Sequence, residues 1–99
     1  MATFIALITE TQFGETHIDE SVARATKFRD EAAKFDARVT GMYWTLGRYD
    51  GVLVFEAPSD EKAAALLYHL VSKGAVRTET LRAFDAEATG KILAMTNPS

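Results

Sequence analysis

The sequence predicts an α+β fold: four antiparallel strands, two long helices on one face of the sheet, and a short terminal helix. Three observations predict it. Gly41 to Ala57 (GMYWTLGRYDGVLVFEA) reads as two extended runs joined by a tight turn. Residues 19–35 and 59–73 space their apolar side chains three and four apart, the helical period. An apolar run near the start, Thr3 to Thr9, and a mixed, alternating run near the end, Ala75 to Phe84, supply the other two strands.

Taken in order, TFIALIT (3–9) is almost continuously apolar and short, which predicts a strand covered on both faces. Glu10 to Ile18 reads as a polar loop carrying Gly14 and His17. Asp19 to Phe35 predicts a helix capped by Asp19 or Ser21, with Val22, Ala25, Phe28, Ala32 and Phe35 as its apolar stripe and Arg24 among the solvated positions. Arg38 to Leu46 and Val52 to Ala57 are the hairpin strands. Their aromatic and β-branched residues suit a pleated surface. Gly47-Arg48-Tyr49-Asp50-Gly51 turns between them, and Asp-Gly favours the positive φ such turns need. Ser59 caps a second helix whose buried stripe is Ala63, Leu66, Leu67, Leu70 and Val71, and Gly74 ends it in the left-handed region. Asp85 caps a last helix, Ala86 to Met95, which Gly90 weakens by roughly 1 kcal/mol relative to alanine. Asn97-Pro98-Ser99 reads as a frayed tail.

The resulting order, β-α-β-β-α-β, is the split βαβ or ferredoxin-like pattern. Right-handed crossovers give strand order 4-1-3-2. On that topology the sheet is apolar twice over. Phe4, Ala6 and Ile8 lie opposite Ile5 and Leu7; Met42, Trp44 and Leu46 lie opposite Val39 and Tyr43; Leu53 and Phe55 lie opposite Val52 and Val54. Two helices cover one face only. An uncovered apolar face is unusual on a monomer, so a second copy packed sheet to sheet, the dimeric α/β-barrel arrangement, is expected. A terminal helix folded back under the sheet is the competing solution.

Composition sets limits. Ninety-nine residues predict one domain, 1–99. A net charge of −3 with scattered lysines and arginines leaves no basic footprint for nucleic acid. Without cysteine there is no disulfide, thiolate metal site or thiol nucleophile. The N-terminal apolar run falls short of the ~7–15 residues of a signal peptide, and no run approaches the ~18 of a membrane span. A cytoplasmic protein with no membrane partner is the expectation.

YWTLGRYDGVLVFEAP (43–58), followed by VRTETLRAF (76–84), closely resembles the GYD domain family, named for a glycine-tyrosine-aspartate signature. The signature stands here as Gly47-Arg48-Tyr49-Asp50, with arginine inside it. The similarity runs from TFIALIT to the terminal KIL (91–93). It implies a small bacterial or archaeal protein, ferredoxin-like and oligomeric. No single activity attaches to the family, so no catalytic residue and no cofactor carries over. Residues 10–17 are the least typical stretch, and a member-specific role would fall there.

The topology brings three connections to one end of the sheet: loop 10–19, turn 47–51 and link 72–75. Glu10, Glu15, His17, Arg48, Tyr49, Asp50 and Arg77 are therefore candidates to converge. Asp50 is expected to bond backbone N–H groups and fix the turn; in a functional role it would be a base beside a substrate or an interface anchor. His17 is a base only if a carboxylate such as Glu15 or Asp19 orients it. Glu10, Glu15 and His17 form a weak alternative metal set, against a main expectation of no metal. Tyr43, Trp44, Arg48 and Tyr49 are the candidate ligand-binding residues, since Tyr43 and Trp44 point to opposite faces and one of them would line an inter-sheet cavity. No P-loop, GxGxxG, nucleophile elbow or zinc motif is present. Two functions remain: an oligomeric small-ligand-binding or assembly module, or a cofactor-independent isomerase or monooxygenase, the latter by fold analogy.

Overall fold

The computed structural model describes residues 1–97; Pro98 and Ser99 of the expected frayed tail lie outside them. The elements are β1 (Ala2–Glu10), α1 (Gln12–Thr16), a 3₁₀ turn (Ile18–Glu20), α2 (Ser21–Glu31), a second 3₁₀ turn (Ala32–Phe35), β2 (Arg38–Trp44), β3 (Gly51–Ala57), α3 (Asp60–Val71), β4 (Val76–Ala83) and α4 (Ala86–Ala94). The sheet order is β2-β3-β1-β4, which is 4-1-3-2 counted from the other edge. Every neighbouring pair is antiparallel.

Strand periodicity builds the core. Phe4 and Ala6 of β1 and Leu53, Phe55 and Ala57 of β3 are buried at alternate positions. They meet Phe28 and Ala32 of the first helical region and Ala63 and Leu66 of α3. Phe4 and Phe55 stack with ring centroids 5.3 Å apart. Ser59 caps α3 by accepting from the Lys62 N–H at 3.1 Å, and Asp85 caps α4 by accepting from Ala88 N–H at 2.8 Å. Gly74 takes φ +83° after α3, the region glycine enters without a Cβ penalty.

Four expectations change. The segment read as a polar loop contains α1, because Thr11 Oγ1 caps it by accepting the Gly14 N–H. The 19–35 helix starts at Ser21, after a 3₁₀ turn, and neither Asp19 nor Ser21 caps it; Glu20 sits at the N-cap without a side-chain bond. On that phase Val22 points outward, 63% exposed, and Arg24 turns inward. β2 ends at Trp44, and Leu46 stands in the turn wholly exposed. A bulge between Val39 and Gly41 resets the alternation, so Val39 shares a face with Met42 and Trp44 rather than with Tyr43.

Both long helices lie on the Phe4–Leu53 face. The opposite face carries Ile5 and Leu7 of β1, Val52 and Val54 of β3, Tyr43 of β2 and Leu81 of β4. Tyr43 is 64% and Leu81 49% exposed there. α4 does not fold back to cover it: none of its residues is buried, and it extends the molecule to 57 × 31 × 17 Å. The radius of gyration, 15.2 Å, exceeds the ~13 Å of a compact chain of this length.

Candidate functional site

Glu10 is the last residue of β1 and shares the core-facing phase of Phe4, Ala6 and Ile8. Three connections close around it. Asp50 Oδ2, at the end of the hairpin turn, accepts the Glu10 backbone N–H at 2.7 Å, while the Asp50 N–H donates to Ile8 O at 2.8 Å. Thr11 N–H donates to Ala75 O at 2.9 Å, and Thr11 Oγ1 donates to Gly74 O at 2.6 Å. Gly14 of α1 is buried against the Glu10 side chain, with no room for a Cβ between Ala75 O and Glu10 Oε2.

The Glu10 side chain is buried, yet Oε2 has no hydrogen-bond partner among the described residues. The nearest cation, Arg24 Nη2, stands 3.6 Å away. Arg24 is committed elsewhere as well, with Nη1 donating to His17 O at 2.9 Å and lying 4.0 Å from Glu20 Oε2. Burial pushes the Glu10 carboxyl above the usual carboxylate range; Arg24 pulls it back, and the negative charges of Asp50 and Glu15 push it further up. Glu10 therefore keeps its proton to higher pH than an exposed glutamate does.

Glu10 and Arg24 line a cavity of about 220 Å³ between the helices and the sheet. Ile8, Met42 and Leu53 form its sheet side, and Ala25, Phe28 and Leu70 its helix side. Trp44 and Ser21 stand at its edge, joined by an indole N–H···Oγ bond of 2.8 Å that ties β2 to α2. Lys27, Lys73 and Glu31 also line it. Glu31 Oε1 sits 3.2 Å from His69 Nε2, and that bond holds its carboxyl below the ordinary range. An apolar cavity of about 150 Å³ accommodates benzene, so this one has room for a substituted single ring.

The sequence-derived candidates divide. Trp44 borders the cavity; Tyr43 faces away, on the uncovered side of the sheet. Arg48 and Tyr49 line a separate, shallow polar groove with Thr9, Arg77, Thr78 and Glu79. Tyr49 reaches β4: its hydroxyl donates to Glu79 Oε2 at 2.6 Å, and that bond raises the Tyr49 pKa. The Arg48 guanidinium lies 5.7 Å from the Tyr49 ring centroid. Asp50 fixes the turn, but onto the end of β1 rather than within the turn itself.

His17 is not placed as a base. Its ring stacks on Phe13 at 4.3 Å and Nδ1 bonds Phe13 O at 2.8 Å, so a carbonyl rather than a carboxylate orients it. Glu10, Glu15 and His17 form no metal-holding group, and no cluster of three such residues exists among those described. The sequence reading took Ser21 as a helix cap and Arg24 as a solvated position, and neither as a site residue. Ser21, Arg24 and Phe28 recur at helical spacing, which places the arginine on the buried side once the helix start is fixed at Ser21.

The GYD domain profile matches residues 4–93. This chain belongs to the GYD domain family. A Thermus thermophilus protein named as a glutamine synthetase and cystathionine beta-lyase binding protein is 38% identical over 84 residues, covering 84% of this chain and 88% of that one. The crystal structure of TTHA0845 from Thermus thermophilus superposes with a TM-score of 0.57 at 26% identity, over 87% of this chain and 96% of that one. A 5-chloro-2-hydroxyhydroquinone dehydrochlorinase from Burkholderia phenoliruptrix, in complex with 2,5-dihydroxybenzoquinone, gives a TM-score of 0.61. At 16% identity, over 88% of this chain and 97% of that one, it shows a shared fold alone. Among the described residues of the GYD protein no helix is long and apolar enough to cross a membrane.

Proposed function

We propose that this GYD protein is the protomer of a homo-oligomeric small-ligand-binding module. The observation that carries the reading is the cavity of about 220 Å³ with the buried Glu10–Arg24 pair in its wall. Concave, mainly apolar spaces with a few placed polar groups are the usual form of small-molecule sites. The apolar sheet face of Ile5, Leu7, Val52, Val54 and Leu81 is the proposed contact with a second copy, in the dimeric α/β-barrel manner. The name of the Thermus relative, a binding protein for two enzymes, supports a wider assembly role. Ligand-detected NMR against a set of single-ring compounds tests the reading. Binders that compete with one another and lose affinity when Ala25→Phe fills the cavity support it; a set with no binder refutes it.

A second reading is a cofactor-independent enzyme acting by proton transfer. It is favoured by the raised pKa of Glu10, since a carboxyl tuned upward by burial is suited to general acid–base work. Turnover that disappears in Glu10→Gln, while ligand binding persists, separates this reading from the first.

A further inference from the structure

We propose that the cavity takes a single-ring ligand bearing one negative charge, in its simplest form an aromatic carboxylate, and that Lys27 and Lys73 hold the charged group where the cavity opens. This rests on the cavity being the ligand site and names the class of ligand. Five charged side chains line the cavity: Arg24, Lys27 and Lys73 against Glu10 and Glu31. They are not equivalent. Arg24 faces Glu10 at 3.6 Å and also donates to His17 O. Asp50 and Glu15 add further negative charge around Glu10. That part of the wall repels an anion, and its one cation is already engaged.

The two lysines are different. Neither makes an ion pair within 4.0 Å among the described residues. Both are exposed and yet line the cavity, so their stems run along its wall and their ammonium groups stand in water at its opening. Both act on the Glu31 carboxyl, which they help His69 to hold below its ordinary range. Glu31 Oε1 already has His69 Nε2 at 3.2 Å. Two lysines against that one carboxylate leave an excess of one positive charge, and protonation of His69 would add to it. Ile8, Phe28, Met42 and Leu53 supply the apolar surface for the ring. A neutral ring leaves the excess charge unanswered, and a cation is repelled by it. The whole chain carries a net charge of −3, so its long-range field disfavours anions. A preference for one must come from the lysines at the cavity.

Three planar probes of nearly one shape, benzoate, benzamide and benzamidinium, carry charges of minus one, zero and plus one. Titrated by NMR or calorimetry into the full chain at neutral pH and low salt, they should bind in that order. Solvent-exposed ion pairs are individually weak, so benzoate should lead benzamide by about three- to tenfold. The lead should collapse between 0.01 and 1 M salt, as the screening length falls from about 30 to about 3 Å. In the double variant Lys27→Gln/Lys73→Gln benzoate should fall to the level of benzamide. Lys91→Gln makes the same change of charge on α4, beside Glu87, and should leave the lead intact. Benzamide binding as tightly as benzoate in low salt, or a benzoate lead that survives in the double variant, overturns the role of the lysines and leaves the cavity standing as a ligand site. Failure of all three probes to bind overturns the cavity as well.

Discussion

Replacing Gly14 with alanine puts a methyl group where there is no room. A Cβ built there would overlap Ala75 O and Glu10 Oε2 and lie 3.1 Å from the Ala75 carbonyl carbon. The Ala75 carbonyl cannot withdraw freely, because it also accepts the Thr11 N–H at 2.9 Å. Overpacking of this kind costs about 1–3 kcal/mol, against a gain in helix propensity of at most about 1 kcal/mol. A net loss near 1 kcal/mol lowers Tm by about 4–8 °C in a domain of this size. Scanning calorimetry of wild type and Gly14→Ala measures it. Gly90→Ala is the control: the same change in a helix, at a position where a Cβ meets nothing within 4 Å, should leave Tm unchanged or slightly raised. An unchanged or raised Tm for Gly14→Ala would refute the close packing of α1 on Glu10, and with it the enforced burial of that carboxylate.

Three other perturbations follow from the same geometry. Asp50→Ala strands the half-buried Glu10 N–H and should cost about 1–3 kcal/mol in urea unfolding; a loss under 0.5 kcal/mol, the size of an ordinary surface change, would show that the pin is dispensable. The Glu10 pKa is raised in the fold above its ordinary 4.5, so ionisation opposes folding: the associated stability is complete below that ordinary value and lost as pH rises through the folded one. Glu10→Gln should accordingly gain on wild type between pH 4 and pH 8 in thermal melts, and a gap that is constant or closes would contradict the shift. Val54→Lys places a charge on the uncovered sheet face, opposite Ile5 in the β1–β3 register; light scattering should show wild type as an oligomer and the variant as a monomer, and a wild-type monomer at micromolar concentration would remove the sheet-to-sheet contact.

How much of this was legible in the sequence depended on how local each determinant was. Period two in TFIALIT and GVLVFEA, the Ser59 cap and the positive φ of Gly74 are set within a few residues, and those elements stand where the pattern placed them. The convergence of residues 10–11, 50 and 74–75 followed from topology alone. What failed was phase. A one-residue bulge near Thr40 moved Val39 across the sheet, and a 3₁₀ turn before Ser21 rotated the helical stripe so that Val22 left the core and Arg24 entered it. Neither irregularity has a strong local signature, because both arise from fitting the element against its neighbours. The burial of Glu10, itself a named candidate, was hidden for a different reason: as a charged residue beside a polar segment it reads as loop, although simple alternation from Phe4 puts it on the buried face. Arg24, Asp50 and Ala75, distant in sequence, help to close that position.

The most direct test of the cavity as the ligand site is a 15N-correlation NMR titration with benzoate. Binding in the cavity should shift the amides of Ile8, Glu10, Ala25, Phe28 and Leu53, which surround it, and leave Val54 and Leu81 on the uncovered face unmoved. Shifts confined to Tyr43, Val54 and Leu81 would contradict it and place the ligand on the opposite side of the sheet.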